Sequence, residues 1–237
     1  MRILIVDNDS VSSSNLQYSL KQDSYTVDIA ANYEEAEHRL SLNEYDIMLL
    51  EPETYESKDI SLVQKIRDIT KIPIVVTTKN RDEINKILAF EYGADDYLIK
   101  PFNILELKVR IKAILRRIKN FQTNNEKDIT FGNYRLKTVG RTLARGNEIV
   151  NLTGKEFDLL YVLASKPGIV YSREDLMTEV WGYQYFGDLR SIDVHIRRLR
   201  EKIEDDSKAP NFIMTKWGVG YYFNIDKPGG QNIEKNN

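Results

Sequence analysis

Five short runs of apolar or β-branched residues recur through the first half of the chain: Ile3–Val6, Thr26–Ile29, Ile47–Leu50, Ile74–Thr77 and Tyr97–Ile99. Between them, apolar positions repeat at helical spacing near 10–21, 33–42, 60–69, 81–92 and 103–118. Continuous apolar runs suit strands covered on both faces, and their alternation with helices predicts a doubly wound, five-stranded parallel sheet of the α/β class. The ligand site of such a sheet lies at the carboxyl ends of its strands.

The pattern then breaks. Residues 119–128 are polar and without period, which reads as a linker between a domain at 1–118 and a second at 129–225. The second domain opens with short strands, Ile129–Phe131, Tyr134–Leu136, Thr142–Ala144 and Glu148–Val150, and continues with helices near 155–165, 173–180 and 189–204. A strand–Gly–Val–Gly–strand pattern around Lys216–Phe223 predicts a tight hairpin. Residues 226–237 carry Pro and Gly without an apolar cluster and read as a disordered tail.

The helix at 189–204 carries the sharpest signal. Ile192, Ile196, Leu199 and Ile203 fall within an arc of about 60° at helical spacing. Arg190, Ser191, Val194 and Arg198 point away from that seam, with His195, Arg197 and Lys202 on its flanks. A helix anchored by one face and armed with guanidinium groups on the other suits the DNA major groove. A solvated amphipathic helix explains the charges equally well; the adjacent hairpin favours the nucleic-acid reading.

Composition narrows the chemistry. The 237 residues contain no cysteine, which excludes disulfides, zinc–thiolate sites and thiol nucleophiles. The two histidines, His38 and His195, are too far apart in sequence to suggest a shared metal site. No apolar run of about 18 residues is present, so a soluble, cytoplasmic protein without membrane contact is expected. Net charge is only −2, so DNA binding requires a local basic patch.

Nearly the whole chain resembles the OmpR/PhoB-type response regulators, which join a flavodoxin-like receiver domain to a C-terminal winged helix-turn-helix domain. The matching residues are Ile3–Asp7, Tyr45-Asp46, Pro73 with Thr78, Gly93–Leu98 and Lys100-Pro-Phe102, then Leu152–Leu160, Ser172–Leu176, Val180-Trp-Gly182, Arg190–Ile203 and Gly218–Tyr221. The resemblance implies that 189–204 is a recognition helix. Arg198 would be the main base reader, with Arg190, Ser191, His195, Arg197 and Arg200 toward phosphates or base edges. The hairpin, or wing, would touch DNA through Thr215, Lys216, Trp217 and Tyr221, while Trp181 would support a phosphate contact. Trp217 stands where many relatives carry a minor-groove arginine, so a packing or backbone contact is expected of it. Core packing of Trp181 and Trp217, and a bystander role for His195, stay open. The loop at 182–189 lies where relatives contact RNA polymerase, a partner that its composition does not decide.

Receivers of this family transfer a phosphoryl group to a strand-end aspartate with Mg²⁺ held by an acidic pair. Asp7, Thr78 and Lys100 keep the first acid, the hydroxyl and the lysine, and Tyr97 keeps the switch aromatic. Glu51 stands at the acceptor position and Asn8 at the second acid, with Asp9 beside it. Glu reaches about 1.5 Å further than Asp, and a misplacement of that order costs roughly a hundredfold where in-line geometry matters. Mg²⁺ is usually held through one or two carboxylates with water and phosphate, so neutral Asn8 weakens or abolishes its binding. Asp7 and Glu51 against Lys100 leave one negative charge in excess, which a direct Glu51–Lys100 ion pair would largely satisfy. The segment Pro52–Asp59 also departs from the family loop that lends a carbonyl to the metal.

The expected protein is therefore a DNA-binding transcriptional regulator with no catalytic residue, no metal and no cofactor, whose receiver is degenerate and whose cognate histidine kinase has lost its obvious target. It would read tandem half-sites as a homodimer formed without phosphate. The dimer surface implied by the resemblance comprises Lys86, Glu91, Asp95, Asp96, Glu106, Arg110 and Arg117, paired across a two-fold axis as Lys86 with Glu106, Asp96 with Arg110 and Asp95 with Arg117, with Ile84, Leu88 and Ile111 between them. Two alternatives remain: a receiver that senses a ligand or protein near residues 51–59, and a conventional kinase-phosphorylated regulator.

Overall fold

The computed structural model describes residues 1–52, 60–123, 128–182 and 189–224, with side chains throughout except at 117–123. The segment after Pro52, the loop at 183–188, the middle of the expected linker at 124–127 and the tail from 225 lie outside the described residues. The chain divides into two compact units that meet at residues 115 and 116.

In the first unit five strands, β1 (Arg2–Val6), β2 (Thr26–Ala30), β3 (Ile47–Leu50), β4 (Ile74–Thr78) and β5 (Asp96–Ile99), alternate with helices α1 (Ser10–Lys21), α2 (Tyr33–Leu42), α3 (Leu62–Ile69), α4 (Glu83–Glu91) and α5 (Ile104–Thr123). The strands are all parallel, in the order β2-β1-β3-β4-β5. Strands β1, β3 and β4 are apolar along most of their length because both faces of the sheet carry helices, and their side chains are almost entirely buried. Side-chain caps start three helices: Asp9 for α1, Asn32 for α2 and Asp82 for α4. Each takes backbone N–H groups that the first helical turn cannot satisfy.

Register brings the strand ends level. Val6 lies opposite both Ala30 and Leu50, and Thr78 opposite Ile99. The residues that leave the sheet continue its hydrogen bonding: Glu51 N–H donates to Val6 O at 2.8 Å, and Lys100 N–H to Thr78 O at 2.7 Å. Asp7, Glu51, Thr78 and Lys100 thus share one edge, at the point where strand order reverses between β1 and β3.

The second unit begins with an antiparallel meander, β6 (Ile129–Phe131), β7 (Tyr134–Lys137), β8 (Thr142–Arg145) and β9 (Glu148–Val150). Three helices follow, α6 (Gly154–Ser165), α7 (Arg173–Trp181) and α8 (Arg190–Ile203), with β10 (Tyr171–Ser172) before α7 and the hairpin β11 (Ile213–Lys216) and β12 (Gly220–Phe223) at the end. Capping boxes at Thr153/Glu156 and Ser172/Asp175 fix the starts of α6 and α7. The apolar seam of α8 is buried, with Ile192, Ile196, Leu199 and Ile203 at most 1% exposed. Phe131 packs edge to face on Phe212 and Phe223 at 5.1 and 5.0 Å and joins the meander to the hairpin.

Two elements differ from the sequence expectation. Helix α5 runs to Thr123, so the first residues of the expected linker are helical: Leu115, Ile118 and Phe121 extend its apolar spacing. Strand β10 has only two residues and no local signature; it exists because β12 pairs with it. Gly220 permits that pairing, since a Cβ there would sit 2.0 Å from Tyr171 O.

Candidate functional site

At the strand ends of the first unit, the ammonium of Lys100 bridges two carboxylates. It donates to Asp7 Oδ2 at 2.8 Å, to Glu51 through a very short contact, and to Ser12 Oγ at 3.3 Å. Asp7 and Glu51 are buried, at 3% and 7% exposure. The other oxygen of Asp7 accepts Asp9 N–H at 2.8 Å. Asp9 is committed to capping α1, its Oδ1 accepting from Val11 and Ser12, and its other oxygen lies 3.7 Å from exposed Lys79. It therefore faces the helix start instead of filling the place of a second acid.

Burial pushes the Glu51 carboxyl up to about 7, with Asp7 adding to the rise and Lys100 opposing it. For Lys100 burial acts downward, but hydrogen bonds and charge from Asp7 and Glu51 win and raise it. Thr78 Oγ1 accepts Asn80 N–H at 3.0 Å, and Tyr97 O–H donates to Asn80 O at 3.2 Å, so the hydroxyl and the aromatic converge on one backbone segment after β4.

The surface of α4, β5 and α5 departs from the expected cross-axis pairs. Arg110 grips both oxygens of Asp96 at 3.0 Å and Glu106 at 2.6 Å within its own chain, and Arg110 and Asp96 are both buried. Asp95 is 1% exposed and accepts from Arg67 Nη2 at 2.7 Å and Ile74 N–H at 2.9 Å, so within the chain it anchors α3 to the sheet. Ile111 is core. Lys86 and Glu91 lie on α4, half-buried, and the Arg117 side chain is outside the described residues. The exposed apolar residues here are Ile84, Ile87, Ile99, Leu105 and Val109.

In the second unit the predicted DNA set separates into two groups. Arg190, Arg197, Lys216 and Trp217 are exposed, Arg197 pairing with Glu201 at 3.0 Å one turn on. The others are buried or engaged in contacts within the unit. Ser191 and His195 are 2% and 1% exposed, and His195 packs on the Trp181 ring at 5.3 Å. On the helical wheel they lie about 110° and 70° from the seam centre, close enough to be covered by neighbouring elements. Trp181 is core, with Lys155 Nζ 4.5 Å above its ring.

Arg198, the expected base reader, is held by Glu156 at 3.1 Å, with only 13% of its side chain exposed. Lys202 takes the other oxygen of Glu156 at 2.5 Å. Arg200 donates to Ile213 O and to Thr215 Oγ1 at 2.7 and 2.9 Å, which spends both residues on joining α8 to β11.

Tyr221 is likewise a fastener. Its hydroxyl donates to Asp193 Oδ1 at 2.7 Å, and Arg173 Nε donates to the same oxygen at 2.8 Å. Arg173 and Arg200 guanidinium groups lie 5.2 and 5.5 Å from the Tyr221 ring centre. Burial, with the Asp193 bond, pushes the Tyr221 hydroxyl up to about 12. Asp193, Arg173 and the α8 contacts of Glu156 carried no signal in the sequence, since the partners in those contacts lie at least 20 residues away. Replacing Tyr221 by Phe is expected to lower the stability of this unit by about 1 kcal/mol, the usual net value of one hydrogen bond, in urea unfolding followed by tryptophan emission.

Comparison with known proteins supplies the context for both sites. The family model described as response regulator receiver domain matches residues 3–112, and the one described as transcriptional regulatory protein, C terminal, matches residues 146–223. The transcriptional regulatory protein SrrA of Staphylococcus aureus is 37% identical over 229 residues, covering 94% of this chain and 95% of SrrA. Solved structures of two RitR mutants superpose with TM-scores of 0.76 and 0.77 at 28% identity, covering 94% of this chain and 98% of theirs.

Proposed function

The chain belongs to the response regulators that pair a receiver domain with a winged-helix DNA-binding domain, and on that premise we propose that it regulates transcription as a dimer assembled without phosphorylation. DNA binding and transcriptional regulation come with the family. The proposal concerns the receiver.

One observation carries it: the Lys100 ammonium sits between the carboxylates of Asp7 and Glu51. That cation neutralises one of two buried acids, and the longer Glu51 side chain reaches it directly. Mg²⁺ fits this donor set poorly. It asks for near-octahedral oxygen at about 2.0–2.1 Å, and the ammonium already holds one oxygen of each carboxylate. Asp9 is turned to the helix cap and adds nothing. The pocket thus carries an internal counter-charge where phosphorylation would need a metal, and no phosphoryl step is assigned to it.

Dimerisation is supported by the exposed Ile84 and Ile87 on α4 and Leu105 and Val109 on α5, with half-buried Lys86, Glu91 and Glu106 among them as polar partners. Two recognition helices held by such a dimer would meet half-sites about one helical turn apart, arranged as direct repeats. No helix among the described residues is long and apolar enough to cross a membrane, and we place the protein in the cytoplasm with its DNA. The loop at 182–189, through which RNA polymerase would be met, lies at 183–188 outside the described residues.

Sedimentation and gel-shift experiments on the full chain test this reading. Dimers and specific DNA binding are expected without a phosphodonor, and acetyl phosphate with Mg²⁺ should change neither. Intact-mass measurement should show no phosphoryl adduct. A monomer that associates and binds only after donor treatment would overturn the proposal.

A further inference from the structure

Trp217 is 88% exposed, more than any other large apolar side chain described. It stands at the tip of the β11–β12 hairpin. Gly218 turns the chain there with φ +75°, and Val219 N–H closes the turn on Lys216 O at 2.9 Å. The hairpin is stiff: Ile213 and Phe223 root it in the core, and Tyr221 and Arg200 fasten it to α8. The backbone that carries the indole is therefore anchored to the recognition helix, while the ring itself stands in solvent. Its neighbours Lys216 and Val219 are exposed as well, which makes the tip an apolar wedge beside a cation.

A protruding indole on a rigid support gains most when it is covered by a partner. Duplex DNA is the partner favoured by the surroundings, because the same rigid unit presents Arg190 and Arg197 on the outer side of α8. An indole has one N–H donor and no acceptor, which matches the acceptor-only floor of an A·T minor groove. Apolar side chains that enter a minor groove partly unstack a base step and bend the duplex, and pyrimidine–purine steps yield most easily.

We infer that Trp217 inserts into the minor groove beside each half-site and wedges against a base step, so that the wing reads DNA deformability. This goes beyond the family relation, which implies an arginine contact at the corresponding place in many relatives. It rests on DNA binding by the second domain and is independent of the phosphorylation state of the receiver.

The test uses the full chain and DNA enriched by the wild type from a random pool. Affinity is measured across a salt series, bending by energy transfer between end labels, and contact by iodide quenching of tryptophan emission, with buried Trp181 as internal reference. W217A should lose about tenfold in affinity, as expected for a stacked aromatic, with an unchanged salt slope because no phosphate contact is removed. Its complex should be less bent, and W217F should keep most of both properties. W217R should shift the enriched flanks toward narrow A-tracts. Iodide should reach Trp217 in free protein and not in the complex. Continued quenching in the complex, or a W217A variant that binds and bends like the wild type, overturns the inference. If the wild type enriches no sequence at all, the DNA-binding reading falls with it.

Discussion

Glu156→Ala is expected to lower the stability of the second domain by about 3–5 kcal/mol, the usual cost of breaking a buried ion pair from one side. Specific DNA binding should fall with it. Glu156 is fully buried, and its carboxylate takes Arg198 and Lys202 from α8 while closing the cap of α6 by accepting Thr153 N–H at 2.8 Å. Alanine leaves two cations facing a pocket without an acid and opens the first turn of α6. Burial alone would raise the Glu156 carboxyl, but the charges of Lys202 and Arg198 outweigh it and hold the group below its ordinary value. A depressed carboxyl stabilises the fold above its unfolded value, near 4.5, and that contribution is lost as pH falls through the folded value. Urea unfolding followed by the emission of buried Trp181 reads the effect, and Glu156→Gln should fall between the two. The same experiment decides the role of Arg198. As an anchor, R198A loses stability and binding together; a variant that kept full stability while losing sequence preference would restore Arg198 as a base reader.

That pair shows where sequence reasoning stops. The alternation of the first 100 residues and the apolar seam of α8 specify elements, because both depend on neighbours within one or two turns. Ser191 and His195 lie at the margins of the seam, where the wheel alone cannot tell a solvent-facing flank from one covered by Trp181. The Thr153–Glu156 spacing announces a helix start, yet nothing local announces that Glu156 meets residues 42 and 46 positions later. Arg198 and Arg200 look like DNA ligands for the same reason: their partners, Glu156 and β11, arrive through tertiary packing. Asp95, Asp96 and Arg110 were legible as a charged cluster on matching positions, but a sequence does not distinguish pairs across two chains from pairs within one. The strand-end pocket was more transparent, because the fold fixes which residue follows each parallel strand.

Lys100→Met should destabilise the first domain by about 3–5 kcal/mol near pH 8, and by clearly less near pH 5. The side chain is only 10% exposed and is the shared counter-ion of Asp7 and Glu51. Without it, two carboxylates face each other in a buried pocket, and the pair can relieve the repulsion only by keeping a proton. Glu51 already titrates near 7 with the ammonium present, so removing that cation moves it further upward. A raised carboxyl contributes stability that is complete below its unfolded value, near 4.5, and lost as pH rises through the folded value. The deficit of the variant therefore grows from pH 5 to 8, a window in which the depressed Glu156 carboxyl stays ionised, so thermal unfolding across it reads the Glu51 effect. Glu51→Gln on top of Lys100→Met should recover much of the loss, since one acid can still ionise without a like charge beside it. Mg²⁺ provides the decisive contrast. If the ammonium stands where a cation is needed, Mg²⁺ should stabilise the Lys100→Met protein at pH 8 and leave the wild type unchanged. A wild type that gains as much from Mg²⁺ as the variant would mean that lysine and metal do not compete, and the argument for a receiver running without phosphate would lose its physical basis.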